Sequence, residues 1–424
     1  MNIIKNFLKP KVLLRSVGAR RDAGYCLVLK GLLEKYGFKV FISCTRNFDF
    51  ALKFWKPNIV ILSNFFGVKK VKKIVPDSYV VLLENEGFDR IDSGRADHSF
   101  QNKEYLKLYD LIFLWGDAQL NGFKKYKDKI HIDNIYAIGN PKMDLIRYLP
   151  LSKIKSKKKT IGFITRFSSI NHHEGITVLR NLELKQKADF GVASIKSYYV
   201  MHKAINLILE NTDYNISIRP HPHEAIDPYY NYVLPSFNKF KNRIEVDVNL
   251  FIPEWIASQK YIVSTTTTTF VESYVMKTPM INLDFISGIH KWSKDYGVIA
   301  ASWVDASYLP KTFDDFIKLV KKGLSVKKDK KIEGQLEKNC NFKQKKSALL
   351  NLVTTLNKKY NRKKFKLGLP LFFLELYDKY LFKKTLKKNP LHKNFSYEKN
   401  YHKAPNYIDD YVSKIIDNDL NKFH

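Results

Sequence analysis

The chain has 424 residues, with 73 Lys+Arg against 41 Asp+Glu and a formal net charge of +32. Hydrophobic residues make up 45% and aromatics 14%, which excludes a disordered chain, since that needs low hydrophobicity beside its charge. The length fits roughly two or three domains of about 100–200 residues, and the excess of base proposes an anionic partner: nucleic acid, an anionic membrane or a phosphate-bearing substrate.

Three cysteines, Cys26, Cys44 and Cys340, are too few and scattered for a disulfide framework or a zinc knuckle and read as packing residues. Lys5, Lys9, Pro10 and Lys11 interrupt the apolar stretch at the start, so no signal peptide is expected. No window approaches the roughly 20 apolar residues of a membrane-spanning helix. The expectation is a cytoplasmic protein, peripheral on the inner face of the cell membrane.

Residues 1–150 alternate strand-like and helix-like segments. KVLLRSV (11–17) is a short apolar run, and residues 23–36 have helical spacing ending at Gly37. KVFIS (39–43), NIVILSN (58–64), SYVVLLE (78–84), DLIFLWG (110–116) and IYAIGN (135–140) follow as β-rich runs. Such alternation predicts βαβ units around a parallel sheet. LSKIKSKKK (151–159) is polar, basic and without periodicity, and reads as a linker.

A second series runs from 160 to 326. TIGFIT (160–165), NISIR (215–219), KYIVS (260–264) and PMINLDF (279–285) are predicted strands; residues 194–210, 253–258 and 270–276 are predicted helices. The outline is α/β, two tandem Rossmann-like domains, with ligands expected at the carboxyl ends of strands and in the cleft between domains. Neither half carries G-x-G-x-x-G after its first strand.

Residues 327–424 differ, holding 24 Lys+Arg against 10 Asp+Glu, so this segment carries +14 of the net charge. Basic runs flank LGLPLFFLELYDKYLF (367–382), where a helix is predicted after Pro370. It reads either as a helix packed on the protein's own body or as an interfacial helix, with lysines of 362–388 on anionic headgroups.

Four constellations sit at the ends of predicted strands. Glu84-Asn85-Glu86-Gly87 places two carboxylates and a flexible glycine where a base or nucleophile would face a cleft. Arg219-Pro220-His221-Pro222-His223-Glu224 fixes His221 between prolines, so that imidazole and guanidinium meet a phosphate. Ser264-Thr265-Thr266 opens a hydroxyl run of six at a helix start, more than an N-cap needs, and Glu272 on that helix reads either as reaching a ribose hydroxyl or as a carboxylate on the helix dipole. Gly139-Asn140, with Thr165-Arg166, would line the cleft from either side, although Gly-Asn-Pro is also a routine turn. No D-x-D motif follows a plausible strand and no phosphate loop occurs, so metal-dependent transfer is disfavoured and no metal ligand is assigned. His172 and His173 are read as loop residues.

With these residues in hand, the chain resembles bacterial surface-carbohydrate biosynthesis proteins of the two-domain GT-B glycosyltransferase class, nearest in motif to CMP-sugar-using sialyl- and Kdo-type transferases. The matching elements are Asn85-Glu86-Gly87, His221-Pro222 and Ser264-Thr265-Thr266, in that order, within roughly residues 10–300. The resemblance implies an acceptor domain at 1–150 and a nucleotide-sugar domain at 160–326. It implies Glu86, or Glu84 beside it, as the catalytic carboxylate, His221 on the CMP phosphate, and Ser264 and Thr265 binding the same group. The donor would be a CMP-sugar, an acidic keto-sugar such as Kdo or a nonulosonic acid. No further cofactor is implied, and the acceptor would be a surface or lipid-linked glycan.

Teichoic-acid polyol-phosphate transferases, which use a CDP-linked donor, share similar His-Pro and Ser/Thr elements and form the alternative. A sugar-nucleotide epimerase on the same fold is another. A nucleic-acid-binding protein is the remaining class, and no RNP, KH or helix-turn-helix signature supports it.

Overall fold

Short aliphatic and β-branched runs build two parallel sheets in the chain, seen here in a computed structural model. It describes residues 9–16, 19–43, 47–63, 67–84, 103–124, 132–149, 154, 159–172, 188–265, 267–291, 306–344, 346–360, 368–388 and 408–420. The first sheet comprises β1 (Lys11–Arg15), β2 (Lys39–Ser43), β3 (Ile59–Leu62), β4 (Tyr79–Leu83), β5 (Leu111–Leu114) and β6 (Ile135–Ala137). Its helices include α1 (Ala19–Lys35), α2 (Val68–Ile74) and α3 (Pro141–Arg147). The second comprises β7 (Thr160–Ile164), β8 (Asn215–Arg219), β9 (Ile244–Val246), β10 (Tyr261–Ser264) and β11 (Met280–Asn282), with α4 (Ala188–Asn211), α5 (Ile252–Ser258) and α6 (Thr269–Val275). The chain then continues through α7 (Ala348–Lys359), α8 (Leu371–Lys388) and α9 (Ile408–Leu420).

Two compact units result. One holds Met1–Pro150, Gly334–Pro390 and Tyr397–His424; the other holds Leu151–Glu333 and Leu391–Ser396. Strand order in the first is β2-β1-β3-β4-β5-β6 and in the second β11-β10-β7-β8-β9, with every pair parallel. Both faces of a parallel sheet are covered, which is why IVIL of β3 and LIFL of β5 are buried throughout instead of alternating. On one face of the first sheet Leu13, Val60, Leu62, Val80, Leu82, Ile112 and Leu114 pack beneath Trp55, Val68 and Val71. In the second, Ile161, Phe163, Ile216, Ile218 and Val263 pack under Ile205, Ile208 and Phe316.

Much of the carboxyl-terminal segment is structural in the first unit. The buried Asp144 carboxylate accepts hydrogen bonds from Ser347 Oγ (2.7 Å) and Leu349 N–H (2.8 Å), and Ser347 caps α7. Gly116 is required because a Cβ there would lie 2.4 Å from the backbone of Asn339. Tyr411 on α9 donates to the Leu145 carbonyl (3.2 Å), and Leu374 on α8 sits in the core with Trp55.

The sequence reading missed β9, a three-residue strand with a half-polar face. It also extended β11 too far: Asp284–Ser287 is helical, its first N–H held by Asn282 Oδ1 (2.6 Å). Most of the expected linker, at 151–153 and 155–158, lies outside the described residues.

Candidate active site

Strand order in the second sheet reverses between β7 and β10, so the loops leaving those strands diverge and open a crevice at their carboxyl ends. Ser264, the last residue of β10, donates its hydroxyl to the Ile164 carbonyl (2.8 Å), tying the strand ends together at this point. Thr265 follows, buried; Thr266 lies outside the described residues. Glu272 is partly buried on the seven-residue α6.

Beside that crevice, a buried carboxylate organises the loops after β7 and β8. Glu224, 1% exposed, accepts hydrogen bonds from Thr165 Oγ1 (2.8 Å), from the Phe167 N–H (2.5 Å) and from the Tyr229 hydroxyl. The Tyr229 hydroxyl is also 2.8 Å from Thr165 Oγ1. Thr165 Oγ1 accepts from the His221 N–H (3.2 Å), and the Glu224 N–H closes a turn onto the His221 carbonyl (2.9 Å). An ion with three donors is cheaper to bury than a bare carboxylate, and it fixes the donors in return.

This framework sets the state of His221. Its Nδ1 accepts from the His223 N–H (3.2 Å), which an imidazole does only where that nitrogen carries no proton. The ring proton is thereby assigned to Nε2, and the ring is partly exposed at the carboxyl end of β8. The two prolines around it limit the loop's freedom. His172 joins this group: residues 171–172 pair antiparallel with 224–225, bringing the His172 and His223 ring centroids to 5.8 Å with their planes nearly parallel.

Arg219 is placed differently from a phosphate ligand's position. Its guanidinium is buried, pairs with Asp247, donates to the Asn249 carbonyl (2.7 Å) and lies 5.7 Å from the Trp255 ring. Its charge is matched within the second unit. Arg166 and Pro222 are partly exposed beside Thr165 and His221.

In the first unit, Glu84 follows β4 and is buried; the Trp115 indole N–H donates to its backbone carbonyl (2.6 Å). Burial, the Glu84 charge and, in the opposite sense, Arg15 act on the Tyr109 hydroxyl, whose pKa is raised. Asn85, Glu86 and Gly87 lie outside the described residues. Gly139 and Asn140 serve the carboxyl-terminal segment. Gly139 has φ +97° with Gln344 against it, and Asn140 caps α3 by accepting from the Lys142 N–H (2.9 Å). Among the described residues no group of three or more His, Cys, Asp or Glu is placed to share a metal ion.

Sequence reading passed over Glu224 and Tyr229 as organisers and took His172 as a loop residue. A carboxylate three residues after His221 was visible, but its burial was not.

The fold is similar to that of several solved structures. The Methanocaldococcus jannaschii UDP-GlcNAc 2-epimerase in complex with UDP-GlcNAc and UDP is 13% identical with a TM-score of 0.50, over 82% of this chain and 99% of its own. The S. aureus MnaA–UDP co-structure is 13% identical with a TM-score of 0.51, covering 83% and 97%. The wall teichoic acid polymerase TagF with CDPG is 12% identical with a TM-score of 0.51, covering 83% and 90%. At such identity the likeness is one of fold: the chain has the two-sheet α/β fold of the GT-B type. No protein-family model matches the sequence, and no curated protein does.

Proposed function

We propose that the chain is a metal-independent transferase of surface-carbohydrate synthesis that binds a cytidine-nucleotide donor at the crevice between β7 and β10. One observation carries this reading. His221 is held by the Glu224 framework, with its Nδ1 accepting from the His223 N–H so that the ring proton is on Nε2, at the strand end where a phosphate would sit. The N–H stabilises a phosphate oxygen as the bond to the transferred group breaks. Glu84 or Glu86 in the first unit takes the proton of the acceptor hydroxyl. The transferred group is an acidic keto-sugar carried by CMP, on the strength of the motif order Glu86, His221, Ser264.

The fold likeness to TagF favours a second reading, in which the donor is a CDP-linked polyol and the group moved is a polyol phosphate. The likeness to the Methanocaldococcus jannaschii UDP-GlcNAc 2-epimerase supports a third, isomerisation of a sugar nucleotide without transfer. One screen separates them. CMP-sugars, CDP-polyols and UDP-GlcNAc are incubated with the protein, and nucleotide products are read by mass spectrometry. The first reading expects CMP release from CMP-sugars. CMP from a CDP-polyol supports the second, and an altered sugar nucleotide without acceptor supports the third. Absence of any response to cytidine nucleotides at millimolar concentration, in turnover and in thermal stability, refutes the donor assignment.

The acceptor in this proposal is lipid-linked, and α8 is its membrane contact. Leu374 buries one side of the helix, and Tyr377 stacks on Phe50 at 3.8 Å. Phe372, Phe373, Leu376 and Tyr380 are exposed. Phe372, Leu376 and Tyr380 recur every fourth residue, and Lys383, Lys384, Lys387 and Lys388 follow them in the sequence. Such a face suits an anionic headgroup boundary. No described helix is long and apolar enough to cross a membrane.

A further inference from the structure

The second unit carries an exposed basic tract that its own carboxylates do not neutralise. Residues 318–331 contain seven lysines, one aspartate and no arginine, so these 14 residues hold +6 of the net charge. Lys318, Lys321, Lys322, Lys328, Lys330 and Lys331 are exposed, and none of the six forms an ion pair among the described residues. The one acid, Asp329, is used on nearby backbone. Its carboxylate accepts from the Lys331 N–H (2.7 Å) and the Ile332 N–H (3.3 Å), at the start of the helix Lys330–Cys340.

Helix electrostatics account for only part of this tract. Lys318, Lys321 and Lys322 share one face near the end of the helix Phe313–Lys322, where the dipole favours cations, and Asp314 and Asp315 lie in its first turn. Lys330 and Lys331 instead occupy the first turn of the next helix, where a cation is unfavourable and Glu333 is the matching acid. The connection between the helices is pinned. The Leu324 N–H donates to the Tyr261 hydroxyl (3.3 Å), the Tyr308 hydroxyl to the Ser325 carbonyl (2.8 Å) and the Asp329 N–H to the Tyr274 hydroxyl (3.1 Å). Lys327 donates to the Ser307 carbonyl (2.9 Å). Like charges fixed together repel one another, and an anionic partner relieves that repulsion. Tyr261 opens β10 and Tyr274 nears the end of α6, so the tract lies at the amino ends of the second sheet's strands, across the sheet from the crevice.

We propose that this tract is a docking surface for an anionic membrane, a contact of the second unit that is separate from α8. Lysines are flexible point charges suited to mobile headgroups, whereas recognition of a phosphate in fixed geometry draws on bidentate arginine, which the tract lacks. No aromatic residue lies within 318–331 to stack a nucleobase, and the hydroxyls of Tyr261, Tyr274 and Tyr308 are engaged with backbone. Docking at the amino edge leaves the crevice between β7 and β10 open to its donor, whichever donor that is. Attachment through such a patch is reversible and weakens with salt.

The test is co-sedimentation of the full chain with vesicles of phosphatidylcholine, alone or mixed with phosphatidylglycerol, at low and at physiological salt. One variant carries Lys321→Gln, Lys322→Gln, Lys330→Gln and Lys331→Gln. A control loses the same charge through Lys196→Gln, Lys239→Gln, Lys241→Gln and Lys291→Gln, all exposed elsewhere in the second unit. A lysine near an anionic surface changes partition about fivefold. The first variant is therefore expected to lose roughly tenfold or more in partition onto the mixed vesicles at low salt, and the control less than about threefold. Equal losses in the two, or no loss in the first, overturn the proposal. Duplex DNA bound more tightly than the mixed vesicles at the same salt, and released in the first variant, overturns it in favour of nucleic acid. The comparison is repeated in a chain carrying Phe372→Ser, Phe373→Ser and Tyr380→Ser. The same difference between variant and control is expected there, and its disappearance would assign the effect to α8. Lys321→Gln with Lys322→Gln, and Lys330→Gln with Lys331→Gln, tested as pairs, keep the comparison decisive if the fourfold variant fails to fold.

Discussion

Removing the Glu224 carboxylate tests the framework on which His221 depends. Glu224→Ala leaves the buried Phe167 N–H without an acceptor and costs two hydroxyls their charged partner. Those hydroxyls, 2.8 Å apart, can still bond each other. The net loss is therefore about one unsatisfied donor and one charge-assisted bond, roughly 2–4 kcal/mol. Because a chain with two units need not unfold in one step, the local measurement is exchange protection at the Phe167 amide. A loss of 2–4 kcal/mol corresponds to a drop of roughly 30- to 1,000-fold. Glu224→Gln, which keeps one carbonyl oxygen, is expected to lose about 1–2 kcal/mol. Tyr229→Phe, which removes a single hydroxyl, loses about 1 kcal/mol. A less than threefold change in Glu224→Ala, or a Tyr229→Phe effect equal to it, refutes the idea that the carboxylate organises these loops.

His221→Ala is expected to lose most turnover with a cytidine-nucleotide donor while protection at 161–167 is kept; full turnover would remove His221 from the site. Burial raises the Asp144 carboxyl to about 6 from an ordinary 3.8, against the opposing hydrogen bonds from Leu349 and Ser347. A carboxyl raised by folding favours the folded state when protonated, so its contribution is full below pH 4 and lost as pH rises through about 6, a difference of roughly 3 kcal/mol. Subtracting the Asp144→Asn profile from that of the wild type, by thermal unfolding between pH 4 and 8, should reveal that loss; superimposable profiles would contradict it. Replacing Phe372, Phe373 and Tyr380 together by Ser should release the chain from vesicles containing anionic lipid, while leaving nucleotide-induced stabilisation intact. Equal co-sedimentation of the wild type with neutral and anionic vesicles would count against the basic part of that face.

Strands were the most legible feature of the sequence, because a two-sided parallel sheet demands unbroken apolar runs. KVFIS and NISIR match β2 and β8 residue for residue. β9 was hidden by its length and by Glu245, which faces outward on an edge strand. The crevice motifs lay at strand ends as topology requires, yet what each side chain binds was not legible. Ser264 uses its hydroxyl on Ile164, and Asn140 uses its amide to cap a helix; periodicity carries no such information. The role of the carboxyl-terminal segment was illegible for the same reason. Its contacts with Asp144, Gly116 and Gly139 join positions about 200 residues apart, which no local pattern records.

The placement of two arginines shows why net charge was a poor guide to the site. Arg219, beside the most distinctive motif, invited assignment to a phosphate, yet Asp247 and the Asn249 carbonyl already satisfy it. Arg15 sits in an ordinary-looking strand and drew no attention, but it is the one of the two whose guanidinium has a buried N–H without a partner. An arginine neutralised internally adds rigidity to a site and little attraction for a ligand. One with a single buried N–H left without a partner carries that unmet bond as a cost on the folded chain. The formal charge of +32 counts both alike. Net charge therefore does not show which cations are matched within the chain: Arg219 is held by Asp247 and the Asn249 carbonyl, and Arg15 keeps one buried N–H without a partner among the described residues.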